Sequence, residues 1–102
     1  MMSLRQFYLT KLAEECQEVA QRALKSMQFG ADEIQKGQQK TNAQRLRDEV
    51  QDLLAVIALV ENNTFDLPQV SFEERIQTTV QKTEKICKYL AYSQELRMVE
   101  RG

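Results

Sequence analysis

The sequence predicts an all-α protein, an antiparallel bundle of three long helices within one domain that spans residues 1–102. Its composition, with one Pro, three Gly and 42% hydrophobic residues, favours helix over sheet or disorder. Three capping-box patterns each precede an apolar repeat at helical spacing. Because a chain of this length has only a modest core, we expect dimerisation to complete the bundle.

The first helix is predicted from about Leu4 to Met27, after the capping-box pair Ser3 and Gln6. Gly30, just beyond its end, is typical of a helix stop. The connection "GADEIQKGQQK" is polar and has room for a short helical turn around Asp32 to Gln35. The expected apolar stripe of this helix consists of Leu12, Cys16, Val19, Ala23 and Met27.

The second helix is predicted over roughly Asn42 to Asn62, with Thr41 and Gln44 as its capping-box pair. Its expected stripe is Leu46, Val50, Leu53, Ile57 and Val60. Pro68 interrupts the helical pattern in the connection that follows.

The third helix starts near Phe72, after the capping-box pair Ser71 and Glu74, with fraying or a bend expected near Ser93. Its stripe follows Ile76, Val80, Thr83, Cys87 and Leu90.

Charge and hydropathy exclude several classes of protein. A net charge of −1 without a dense basic run gives no basic surface for nucleic acid. The longest uncharged apolar run, Leu53 to Val60, is too short for a membrane span, and the N-terminus lacks a secretory apolar region. We therefore expect a cytoplasmic protein without a nucleic-acid or membrane partner, in which Cys16 and Cys87 are reduced core residues.

An acidic motif occurs twice, as "LAEECQEVA" at 12–20 and "LRDEVQDLL" at 46–54. With Leu12 and Leu46 each set to zero on a helical wheel, Glu15 and Glu49 fall near ~300°. Glu18 and Asp52 fall near ~240°, while the stripes centre close to ~20°. If the helices pack through their stripes, these four carboxylates face a shared groove, whereas Glu14 and Asp48 point further out.

The four carboxylates have two interpretations, a solvated surface and a cation site. Charged residues beside an apolar stripe are usually solvated. Bundles, however, favour opposite charges across such a contact, and like-charge neighbours destabilise it. The doubled motif therefore favours a cation site.

The absence of His removes the usual ligands of zinc and of di-iron bundles. An all-oxygen set fits Mg²⁺, or alternatively Mn²⁺, which substrate phosphates commonly complete. Lys11 and Arg45, one turn before each acidic pair, are candidate phosphate contacts; ordinary salt bridges to the following acidic residue are the alternative.

The same residues resemble the signature of the MazG-like all-α nucleoside triphosphate pyrophosphohydrolases, EExxE followed by ExxD. Here the motif reads Glu14, Glu15 and Glu18, then Glu49 and Asp52. "FDLPQV" and "KTEKICKYL" are also similar to family segments. The resemblance implies Mg²⁺-dependent hydrolysis of an NTP or dNTP to a monophosphate and pyrophosphate, in a homodimer or tetramer.

Further site residues follow from the resemblance and from the wheel. Lys85 matches a basic phosphate contact of the family, and Lys82 lies closer to the apolar side of the helix. Asn62 matches a family Asn, and Asn63 shares the wheel face of Asp52; either could meet a sugar or base. Tyr8 could stack on a base, although an aromatic residue there is more often part of a core.

With no His to accept a proton, a carboxylate must be the general base, and by position we select Glu15. Glu18, Glu49 and Asp52, together with Glu15, are the expected metal ligands. The resemblance to the family also implies pyrimidine deoxynucleotides as the expected substrates. Two alternatives stay open: a catalytically silent helical interaction module and a phosphoribosyl-ATP pyrophosphohydrolase.

Overall fold

A computed structural model describes all 102 residues and contains three α-helices and no strand. The helices are α1 (Leu4–Phe29), α2 (Asn42–Asn63) and α3 (Phe72–Glu95). The predicted all-α class is confirmed, and each helix begins at the residue expected from its cap. α1 continues past the predicted Met27, and α3 runs unbroken through Ser93.

The helix starts follow from capping hydrogen bonds. The Gln6 amide donates to the Ser3 hydroxyl at 3.1 Å, and the Ser3 amide donates to Oε1 of Gln6 at 2.9 Å. The same reciprocal pair forms at Thr41, and the Ser71 hydroxyl accepts from the amide three residues later. These bonds satisfy amides that the first turn of each helix leaves without partners.

The chain forms two compact units, Met1–Pro68 and Gln69–Gly102. In the first unit α1 and α2 pack side by side as an antiparallel hairpin. The second unit contains α3, which ends at Glu95 and has Leu96 as its C-cap. Arg97, the next residue, adopts a positive φ of 59°. That residues 1–102 form a single domain stays a prediction.

Polar contacts fasten both ends of the hairpin. At one end, Nε of Arg5 donates to both carboxylate oxygens of Asp66 at 2.8 Å. At the other end, Nδ2 of Asn42 donates to the Gly30 carbonyl at 2.9 Å and to Oε1 of Glu33 at 3.1 Å. Asn42 is the one buried polar residue of the chain, with 2% of its surface exposed.

The face that α1 presents to α2 differs from the predicted stripe. Cys16, Ala23 and Met27 are exposed, whereas partly buried positions recur every three or four residues on the neighbouring side of the helix. On the predicted wheel this side centres near ~320°, about 60° closer to the acidic residues. We call the two facing sets the α1–α2 seam: Tyr8, Leu12, Glu15, Val19, Arg22 and Ser26, with Asn42, Leu46, Glu49, Leu53, Ile57 and Val60.

The short helical turn predicted around Asp32 to Gln35 is absent, and the connection contains turns at 31–32 and 36–37. The first amides of α2 explain this difference. Asn42 N–H donates to the Glu33 carbonyl at 2.9 Å, and Ala43 N–H donates to the Ala31 carbonyl at 3.0 Å. The connection therefore supplies acceptors to the start of α2, where helical amides lack partners.

Very little of the chain is fully buried. Val60 is the only hydrophobic residue that is fully buried. Cys16 and Cys87 are both exposed free thiols, so their predicted place in the core is wrong for the chain by itself. For Cys16 the reason is the rotation of α1, which turns this residue away from the seam.

Candidate metal centre

Three carboxylates converge at the α1–α2 seam, two from within it and one from its exposed edge. Glu15, Glu18 and Glu49 each offer an oxygen, and these oxygens all lie within 4.8 Å of one another. Glu15 and Glu18 are three residues apart on α1 and therefore share a face, while the antiparallel packing brings Glu49 from α2. Glu15 and Glu49 are half-buried and Glu18 is exposed. We call these three residues the carboxylate cluster.

Two oxygens of the carboxylate cluster lack hydrogen-bond donors. Oε2 of Glu15 and Oε2 of Glu49 are occluded from solvent and accept no hydrogen bond. An occluded anionic oxygen without a donor or counter-charge is unfavourable. A hard divalent cation would compensate both oxygens, and an all-carboxylate donor set is suited to Mg²⁺ or Mn²⁺. The residues present thus fit such an ion.

The electrostatics of the carboxylate cluster agree with this fit. Burial, followed by repulsion from Glu18, raises the pKa of Glu15 above its ordinary value of 4.5. Burial and the neighbouring Glu18 carboxyl likewise raise the pKa of Glu49. Repulsion from the Asp52 carboxylate also raises the pKa of Glu15 and that of Glu49. A bound cation would reverse these shifts because it favours the ionised carboxylates.

Asp52, the fourth predicted ligand, lies near the carboxylate cluster but outside its closest group. It is exposed, and its charge acts on Glu15 and Glu49. Of the four carboxylates, the structure therefore brings three together directly and places the fourth beside them.

The predicted phosphate contacts have different surroundings. Nζ of Lys11 lies 3.2 Å from Oε2 of Glu14, which is the salt-bridge alternative. Nη1 of Arg45 donates to Oε1 of Gln35 at 2.9 Å. Lys82 and Lys85 are exposed on α3, in the second unit. All four stay predictions as phosphate contacts.

The predicted sugar and base contacts are engaged within the chain. Tyr8 is half-buried, and its ring meets that of Phe7 edge to face at 5.8 Å between centroids. Nδ2 of Asn63 donates to the Leu59 carbonyl of the same helix at 2.8 Å. Asn62 is exposed at the end of α2.

Sequence reasoning missed a surface cavity of about 450 Å³ that lies beside the carboxylate cluster and is open to solvent. Residues 37–40 of the connection line it together with Arg45, Asp48 and Glu49. Nζ of Lys40 lies 2.6 Å from Oδ2 of Asp48 in its wall. In the sequence, the only sign of this cavity was the polar run that follows Gly37. In the structure Gly37 adopts a φ of +85°. We call this space the connection cavity.

Two further polar groups of the seam were also missed. Nη1 of Arg22 and Oγ of Ser26 are occluded and have no hydrogen-bond partner. Arg22 follows Glu15 by seven residues, so helical periodicity places both on one face. This seven-residue spacing was the feature of the sequence that could have placed Arg22 in the seam.

Comparison with known protein families identifies the family of this chain. The family model described as the MazG nucleotide pyrophosphohydrolase domain matches residues 5–91, which include all four predicted ligands. Comparisons with curated proteins and with solved structures gave no significant match. None of the three helices has the length and apolar character needed to cross a membrane.

Proposed function

The chain belongs to the MazG nucleotide pyrophosphohydrolase family, and on that premise we propose that it is a Mg²⁺-dependent hydrolase of nucleoside triphosphates. It cleaves an NTP or dNTP between the α and β phosphates to a monophosphate and pyrophosphate. Pyrimidine deoxynucleotides are the proposed preferred substrates. The proposed active form is a cytoplasmic homodimer or tetramer.

One observation supports the metal-dependent chemistry above all others. Two helices direct three carboxylates to within 4.8 Å of one another, and two of their oxygens are occluded without a donor. Such a group is unfavourable in a metal-free seam. It becomes favourable when a divalent cation binds between the carboxylates and substrate phosphates complete the coordination of that cation.

The residues of the cluster then take complementary roles. Glu18, Glu49 and Asp52 would hold the cation, and Glu15, the fourth expected ligand, would be the carboxylate not fully committed to it. Bound Mg²⁺ supplies neutralisation of phosphate charge and a more acidic water. In a chain without His, Glu15 takes the proton of the attacking water. The new oxygen–phosphorus bond forms as the anhydride bond breaks, and pyrophosphate leaves with the electron pair.

The position of Glu15 supports its selection as the base. A general base must lie within reach of the proton that it removes. α1 places Glu15 half-buried in the seam, where one of its oxygens lies within 4.8 Å of oxygens of Glu18 and Glu49, the carboxylates that would hold the cation.

An assay panel tests the proposal. Pyrophosphate release is measured for each NTP, each dNTP and phosphoribosyl-ATP, with Mg²⁺, with Mn²⁺ and with a chelator. We expect release from one or more nucleoside triphosphates that stops on chelation. Release from phosphoribosyl-ATP alone would instead identify the chain as a phosphoribosyl-ATP pyrophosphohydrolase. No release from any substrate with either ion would leave the chain as an interaction module.

A further inference from the structure

The connection cavity adjoins the carboxylate cluster through a shared residue. Glu49 contributes an oxygen to the cluster and also lines the cavity. A substrate whose phosphates meet a cation at the cluster therefore has a neighbouring space of about 450 Å³ into which it can extend.

The chemistry of the cavity wall indicates which part of a substrate enters it. Lys40 and Arg45 supply two cationic groups, and Gln38 and Gln39 supply amide groups that can donate to phosphate oxygens. No aromatic or large aliphatic side chain lines the cavity, so a nucleobase would find no surface for stacking there. Asp48 and Glu49 add two carboxylates to the wall and balance these two cations. When a cation at the carboxylate cluster neutralises Glu49, the wall carries a net positive charge and is suited to a polyanion.

Lys40 is able to change partners. Its ion pair with Asp48 joins side chains that are 59% and 51% exposed. Exposed ion pairs of this kind contribute little to stability. The ammonium group can consequently leave Asp48 for a phosphate group at small cost, and Asp48 competes with the phosphate for it.

We propose that the connection cavity binds the pyrophosphate leaving group, with Lys40 and Arg45 as its charged contacts. This inference rests on the proposed function, because it identifies the position of the β and γ phosphates in that reaction. Lys40, outside both acidic motifs, thereby becomes a substrate-binding residue.

Calorimetric titration of the full chain with inorganic pyrophosphate in the presence of Mg²⁺ tests the proposal. We expect Lys40→Gln to weaken pyrophosphate binding roughly tenfold, the effect of losing one charge-assisted hydrogen bond. The matched control is Lys36→Gln, which removes the same charge from the same exposed connection but not from the cavity wall. It should bind pyrophosphate as the wild type does.

A second ligand and a second variant sharpen the test. Binding of a nucleoside monophosphate should be unaffected by Lys40→Gln, since that product carries neither the β nor the γ phosphate. Asp48→Asn should tighten pyrophosphate binding, because it removes the competitor of the phosphate for Lys40 and a like charge from the wall. The two cavity variants therefore shift the affinity in opposite directions.

The outcomes separate this inference from the proposed function. Unchanged pyrophosphate affinity in Lys40→Gln, or an equal loss in Lys36→Gln, overturns the cavity assignment even if nucleotides are hydrolysed. Absence of pyrophosphate binding to the wild type also overturns it. Binding that depends on Lys40 in a chain that hydrolyses no nucleotide supports the cavity assignment and contradicts the proposed reaction.

Discussion

Glu15 of α1 and Glu49 of α2 approach each other across the seam, with carboxylate oxygens within 4.8 Å. Oε2 of each residue is occluded and accepts no hydrogen bond. Two half-buried like charges at this separation destabilise the packing that brings them together. The hairpin is thus arranged at a cost in stability that a cation would offset.

Neutralising one carboxylate of the site should separate activity from stability. We expect Glu18→Gln or Asp52→Asn to reduce pyrophosphate release by about 100-fold or more, because metal sites lose activity on that scale even when supporting groups are changed. The melting temperature of the metal-free variant should rise, since one repulsive charge is gone. Circular dichroism should show unchanged helix content.

Glu14→Gln provides the comparison for these variants. Glu14 is exposed and pairs with Lys11 at 3.2 Å, outside the carboxylate cluster. Glu14→Gln should lose much less activity and gain less metal-free stability, because the repulsion of Glu15 by Glu14 is weaker than that by Glu18 or Asp52. Near-normal turnover in both Glu18→Gln and Asp52→Asn would remove the cluster as the metal site.

Divalent metal should stabilise the folded chain. An ion that binds only the folded state at a hundredfold excess over its dissociation constant adds about 2.7 kcal/mol. We expect millimolar Mg²⁺ or Mn²⁺ to raise the melting temperature at neutral pH, as followed by calorimetry. The same ions should give little shift in the Glu15→Gln, Glu49→Gln double variant, and a wild type that responds to neither ion would contradict the site.

The metal-free chain should respond to pH through Glu15 and Glu49. Both carboxyls have a pKa raised above the ordinary 4.5, chiefly by burial, so the folded state holds their protons more tightly than the unfolded state. Their contribution to stability is therefore fully present below 4.5 and is lost as pH rises through the raised pKa.

The double variant Glu15→Gln, Glu49→Gln isolates this contribution from that of the other carboxyls. With a chelator present, its melting temperature should exceed that of the wild type at neutral pH, and the difference should shrink as the pH falls towards 4.5. Metal-induced stabilisation of the wild type should weaken over the same range, because protons compete with the ion. A difference that is constant with pH would show that the two carboxyls titrate normally.

Association should be obligate. Large apolar side chains are exposed on both α2 and α3, including Leu54 at 53%, Leu59 at 50% and Val80 at 51%, while Val60 is the only buried one. Patches of this kind on a small chain mark an interface. We expect sedimentation at micromolar concentration to give a dimer or larger assembly with α2 and α3 at its contacts. A stable folded monomer would contradict this prediction.

The helices were predictable because their signals are local. Ser3, Thr41 and Ser71 each bind an amide of their own first turn, and Gly30 ends α1 with a φ of 94° that favours glycine. The doubled motif likewise predicted the carboxylates that meet, because three- and four-residue spacing determines which side chains share a helix face.

The rotation of α1 and the connection cavity were not predictable in the same way. Apolar periodicity favoured Cys16 and Met27 as seam residues, yet the structure places Glu15 and Arg22 there, and polar residues give no hydrophobic signal. The place of Lys40 depends on turns and on hydrogen bonds between the connection and α2. Such contacts arise from the tertiary arrangement and leave no periodic pattern.

The buried amide of Asn42 has a consequence for the alignment of the two helices. A seam of heptad-like spacing can slide by one repeat and still bury apolar residues. Sliding would withdraw Asn42 from the Gly30 carbonyl and from Glu33, leaving a buried donor unpaired. It would also carry Glu49 past Glu15 by two helical turns, about 10 Å. The hydrogen bonds of Asn42 therefore fix the register of α1 and α2 in the one alignment that brings the carboxylates together.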